Sequence, residues 1–187
     1  MWGYLIVIGG TNLLAALIII TFFVESYTLG DAALYLLLAG ACSGTAGIAY
    51  YYSISKRSAS ETLGLLFFYP IILAFMARVF LGEEISSISW FGIFVSVTGT
   101  LLLSKITFRN AIKELIFAIV LMILMQASLE LFVKLASGKV SSFTGAATMM
   151  GFSGSMLLTI LLSSTKIAIS VKEIKLIPYA FMGSTLS

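Results

Sequence analysis

The chain has 187 residues, of which 60% are hydrophobic and 10% charged, with 11 Lys and Arg against 8 Asp and Glu. Water-soluble domains run near half apolar and about a quarter charged, so this composition excludes an aqueous globule. Charges gathered mainly in short connectors, with no basic stretch interleaved with exposed aromatics, exclude a nucleic-acid footprint. The sequence has no His and a single Cys, Cys42, which rules out His-based zinc sites, Ser/His/Asp triads, His general bases and any intramolecular disulfide.

A lipid-spanning helix needs about 20 mostly apolar residues. Six stretches read as spans: Gly3–Phe23, Ala32–Ile54, Thr62–Leu81, Ile88–Leu103, Leu115–Leu135 and Phe143–Ser163. Barrel strands are not expected, because these runs are longer than about ten residues and do not alternate. The first stretch is read as a span and not a signal peptide, since it lacks a basic leader and an Ala-x-Ala site, and more spans follow. The predicted fold is all-α, a polytopic transmembrane helix bundle of six full spans plus a truncated seventh. The seventh would be Leu176–Ser187, apolar and rich in small residues but too short to cross, with a short interfacial or re-entrant tail the alternative.

Helices associate in lipid through close backbone approach, so small residues mark the expected contact faces. The second span runs from Ala39 to Gly47 almost entirely in small residues, with the pairs Gly40/Gly44 and Ser43/Gly47 and with Cys42 packed as a small apolar group. The sixth span offers Ala147, Gly151 and Ser155, and the fourth Ser96 and Thr100. Asn12 in the first span and Ser128 in the fifth are expected to hydrogen-bond between helices. On alternate connectors, one side collects Lys56, Arg57, Lys105, Arg109, Lys113, Lys166, Lys172 and Lys175, and the other Arg78, Lys134 and Lys139. The richer side is expected in the cytoplasm.

Three elements occur in a set order. The second span ends in Tyr50, Tyr51 and Tyr52 before a polar turn at 55–60; the third holds Pro70 and closes on Leu81, Gly82 and Glu83; the fourth carries Gly92 and Gly99. In this the chain resembles the drug/metabolite transporter superfamily, specifically its EamA-type ten-helix members. The resemblance implies two five-helix halves of inverted topology. Residues 1–104 would be four first-repeat spans without the first helix of that repeat, and 105–187 the start of the second repeat, two spans and a truncated third. Aligning Gly183 with Gly40 pairs Ser184, Thr185 and Ser187 with Ala41, Cys42 and Gly44, as an internal repeat would. Two features depart from the family: Glu84 stands where a basic residue is common, and the family orientation puts the turn after Leu81 in the cytoplasm, opposite to the charge count.

Ionisable residues inside spans are functional candidates. Glu130 lies on the order of 7 Å from the end of the fifth span at 1.5 Å per residue, with Gln126 one turn deeper on the same face. It reads as a proton or cation site facing a cavity, or as an interfacial ion pair with Lys134 at i,i+4. Pro70 is expected to kink the third span and free a backbone carbonyl. Tyr51 and Tyr69 could line an aromatic cavity, with an interfacial aromatic belt the alternative for Tyr50 to Tyr52. The candidate substrate-binding set is therefore Tyr51, Tyr69, Pro70, Gln126 and Glu130. Glu83 and Glu84 end a helix where the dipole disfavours anions, which a functional carboxylate, or a fixed salt bridge to Arg78 or a neighbouring loop, would explain, with a solvated turn the alternative.

No phosphate-cradling glycine loop follows any span, so no ATP-driven engine, cofactor or metal is expected. The expected function is secondary transport of a small organic solute (metabolite, amino acid or drug) by alternating access in the plasma membrane. Its partners would be the lipid bilayer, the solute and protons as a coupling ion. The rival is a structural or regulatory membrane subunit without transport; an enzyme is not expected.

Overall fold

The computed structural model describes residues 2–56, 58–104 and 108–163. Seven α-helices make up nearly all of it: α1 (Trp2–Phe23), α2 (Ala33–Lys56), α3 (Ala59–Leu66), α4 (Tyr69–Leu81), α5 (Ser87–Ser104), α6 (Phe108–Ala136) and α7 (Ser142–Ser163). Among the described residues there is no strand, as expected where the backbone must bond within its own segment. Five helical segments are long and apolar enough to cross a bilayer, the split α3–α4 pair counted as one. The expected fourth span is a shorter apolar helix, Ser87–Leu102. The tail expected as a truncated seventh helix, together with Arg57 and Lys105, lies outside the described residues.

Three helix starts are capped by serines. The Ser58 side chain accepts from the Glu61 amide at 3.3 Å at the head of α3, and Ser86 and Ser141 do the same for Ser89 and Thr144 before α5 and α7. Each cap satisfies an amide that the first turn leaves without an intrahelical partner. Pro70 does not kink a continuous third span. The span breaks into α3 and α4 at Phe67 and Phe68, and Pro70 sits in the first turn of α4. There its missing N–H costs nothing, while the ring disfavours helical geometry in the residue before it. Without that N–H, the Leu66 carbonyl has no α-helical partner four residues on.

Contacts run α1 to α7, α7 to α2, α2 to α6 and α6 to α4, with α3 packed against α5 and α6. α7 is seated between α1 and α2 by glycines. A Cβ on Gly154 would lie 2.8 Å from the Gly9 carbonyl oxygen and 2.9 Å from Leu13 Cγ on α1. One on Gly40 of α2 would lie 2.8 Å from the Met149 carbonyl oxygen. Rising numbers on α7 meet falling numbers on α1, from Gly151 beside Ala16 to Gly154 beside Gly9, and rising numbers on α2, from Gly40 to Gly44. α1 is thus antiparallel and α2 parallel to α7.

The expected small-residue faces are corrected in part. Gly40 and Gly44 do meet α7, but a Cβ on Gly47 would touch nothing within 4 Å. On α7 Ser155 is exposed, and the close approach falls on Gly154. On α5, Ser96 is exposed and takes the Thr100 hydroxyl on its own carbonyl at 2.9 Å. Asn12 Nδ2 donates to Ser153 Oγ at 3.5 Å, joining α1 to α7, and Ser128 is half-buried on α6.

Gly40→Ala and Gly154→Ala should each cost about 1–3 kcal/mol, the range for overpacked cores. Gly47→Ala should be neutral or stabilising, because it removes backbone entropy from a helix without a clash. Unfolding of the three variants in detergent, followed by circular dichroism, checks the contrast.

Candidate functional site

Gln126, Glu130 and Lys134 recur every fourth residue on α6, so they line one face and step about 6 Å apart along the axis. Gln126 and Glu130 are half-buried and Lys134 is exposed. Gln126 Nε2 donates to Glu130 Oε1 at 3.5 Å. Lys134 does not turn back to Glu130 as its spacing allowed. Its ammonium reaches the end of α4 and binds both carboxylate oxygens of Glu83, donating to Oε2 at 2.6 Å.

The Glu83 carboxylate is positioned by how α4 ends. Gly82 takes the left-handed conformation at φ 65°, which glycine adopts without a Cβ penalty. The Glu83 amide bonds back to the Ala77 carbonyl at 3.4 Å. The carboxylate then lies where the helix dipole disfavours it, and the Lys134 ammonium offsets that. The partner is therefore Lys134 on α6 and not Arg78. Because Glu83 follows the C-terminal end of α4 and Lys134 stands in the last turn of α6, the two helices run parallel.

The other expected site residues lie elsewhere. Tyr69 and Pro70 open α4, roughly 20 Å along the axis from Glu83 at 1.5 Å per residue. Tyr51 is half-buried near the end of α2, edge-on to Tyr50 with ring centroids 5.3 Å apart. Of the five, Gln126 and Glu130 are brought into contact, while Tyr51, Tyr69 and Pro70 belong to the opposite half of the bundle's depth. Two cavities open where α6 turns into α7, and none of the five lines either.

Sequence reasoning missed several long-range polar contacts. The Tyr27 hydroxyl meets Thr148 Oγ1 at 2.6 Å, tying the connector after α1 to α7. Lys139 Nζ lies 4.8 Å from the centre of the Tyr35 ring. Neither pair carries a local spacing signal.

A sequence profile of the EamA-like transporter family matches residues 1–105. The chain belongs to this family. It is a family of membrane transporters of small solutes, in keeping with the polytopic helical bundle described above. Neither the curated proteins nor the solved structures compared with the chain include a match.

The Glu83–Lys134 pair is half-exposed, at 41% and 54%, so solvent screening limits its worth. A double-mutant cycle with Glu83→Gln and Lys134→Met should give a coupling energy of about 1 kcal/mol or less. That coupling should shrink as salt rises from low to molar concentration, and unfolding curves at two ionic strengths measure it.

Proposed function

We propose that this EamA-family chain carries out secondary transport, moving a small organic solute across the plasma membrane by alternating access, driven by the solute's own gradient or by protons. The observation that supports this reading best is the polar seam along α6, tied at its end to α4. Gln126 and Glu130 run from the middle of the bundle toward Lys134, and Lys134 closes the seam by binding Glu83. An ionisable group half-buried in a span is costly and marks pathways. In this reading residues 1–104 and 105–187 belong to two halves of inverted topology, whose relative rocking exposes a central site to one side and then the other.

The five residues serve this reading as a path. Tyr51 and Tyr69 present aromatic surface in one half of the membrane depth, Pro70 breaks the third span beside them, and Gln126 with Glu130 supplies the polar groups of the other half. Glu130 touches the neutral Gln126 and not the ammonium of Lys134, so its carboxylate is available to a passing proton or cationic group. A structural subunit would need no such group at this depth.

Transport is tested in proteoliposomes with a panel of radiolabelled small solutes, taking forward the solute that accumulates. Glu130→Gln should lower its flux at least about tenfold and remove any dependence on an imposed pH gradient, since the amide keeps the shape but cannot exchange a proton. Unaltered flux and pH dependence would take Glu130 out of the mechanism, and absence of flux for every solute would favour the structural subunit.

The seam is tested by locking it. In the double variant Glu83→Cys/Lys134→Cys, bridging the two thiols with a bifunctional methanethiosulfonate reagent that spans the length of the lost ion pair should stop transport, and reduction of the bridge restore it. Transport that continues in the cross-linked protein would show that α4 and α6 do not part at this end.

A further inference from the structure

We propose that the two adjoining chambers at the α6–α7 turn form one binding site for a zwitterion carrying a short apolar tail, separate from the α4–α6 seam. The outer chamber, of about 420 Å³, lies between the connector after α1 and the α6–α7 turn and is lined by Glu25, Ser26, Thr28, Lys139, Ser141 and Thr144. The inner chamber, of about 240 Å³, lies between α2, α6 and α7 and is lined by Leu36, Val133, Ala136, Val140 and Met149. Gly138, Val140 and Ser141 border both. A polar chamber and a mainly apolar one therefore share a wall.

The walls are fixed by contacts that do not consume the charges. Tyr27 holds the connector to α7 through Thr148 at 2.6 Å, and Phe23 stacks on Phe143 at 5.1 Å between ring centroids. The Lys139 ammonium sits over the Tyr35 ring, an attraction to the ring face that leaves its N–H donors able to bind an anion. Glu25 and Lys139 form no ion pair with each other among the described residues, so one chamber presents an anion and a cation together.

That arrangement selects by charge. A ligand with an ammonium meets Glu25, and its carboxylate or phosphate meets Lys139, with Ser26 and Thr28 hydroxyls as neutral partners. A ligand of one sign would satisfy one wall and oppose the other, which is how an interface discriminates. The inner chamber takes the apolar part. It falls below the roughly 300–1,000 Å³ of drug-sized pockets, which limits the tail to a short alkyl chain such as a hexyl group. A soluble zwitterion and an ethanolamine-phosphate headgroup share this chemistry at the mouth.

The site is tested by equilibrium binding, with no transport step, on the full chain in lipid nanodiscs. Radiolabelled 2-aminooctanoic acid is the probe, with octanoate and octylamine as single-charge competitors. The probe should saturate, and each competitor should displace it about tenfold more weakly than unlabelled probe does, one charged contact being worth about that factor. Glu25→Gln and Lys139→Gln, both on exposed connectors, should each weaken the probe about tenfold while leaving the circular dichroism unchanged. Equal displacement by octanoate or octylamine, or unchanged binding in both variants, would overturn the proposal. Repeating the titration with phosphatidylethanolamine in the nanodisc separates the sources: competition assigns the site to a lipid headgroup, indifference to a soluble zwitterion, and the site stands in either case. Failure here would leave the flux experiments on Glu130 untouched.

Discussion

The rest of the bundle depends on how closely α7 approaches its neighbours. In lipid no hydrophobic force drives one apolar helix onto another, so association relies on van der Waals contact and interhelical hydrogen bonds at short range. Gly154 against Gly9 and Gly40 against Met149 bring backbone to within distances that a single methyl group would violate. With α7 held there, Asn12 reaches Ser153 and Tyr27 reaches Thr148. The chambers at the α6–α7 turn are the space left where that close packing ends and the connectors begin.

The other side of the bundle is held by different means. α4 and α6 pack together and are joined at one end by the Glu83–Lys134 ion pair, and α4 meets α5 through Phe75 edge-on to Trp90 at 5.5 Å. On α5, a Cβ at Gly92 or Gly99 would touch nothing within 4 Å. Backbone-to-backbone glycine contacts tolerate little sliding, because interiors at native density are not continuously deformable. The glycine contacts thus make α1, α7 and α2 the closely packed part of the bundle.

Much of this was legible from the residues, for physical reasons that differ element by element. The spans were readable because lipid imposes a length and an apolar composition on any crossing helix, whatever its neighbours. Which face of a span packs was not readable from small residues alone: Gly40 and Gly47 carry the same local signal, yet one meets α7 and the other meets nothing. Pro70 was recognisable as a disruption, but whether it kinks or breaks a helix depends on the turn formed by Phe67 and Phe68. For Lys134, the local rule offered Glu130 at i,i+4. The fold placed Glu83 within reach instead, and a bidentate contact across two helices replaced a pair along one. The candidate substrate path inherits this pattern: Gln126 and Glu130 share a helix face that sequence spacing reveals, whereas the depth of Tyr51 and Tyr69 relative to them is set by the antiparallel order of α2 and the break before α4.

The turn that carried the family resemblance also has a physical account. Leu81, Gly82 and Glu83 close α4 because glycine alone enters the left-handed region without strain, which turns the Glu83 amide back onto Ala77. That geometry leaves the Glu83 carboxylate at a helix C-terminus, where it would be unfavourable if unpartnered. Lys134, in the last turn of the parallel α6 where a cation is favoured, stands against that same end and offsets the cost of the carboxylate. Exchanging Gly82 for a residue with a Cβ would therefore strain the turn and misplace Glu83 together. A three-residue turn thus sets both where α4 ends and how α4 is fastened to α6.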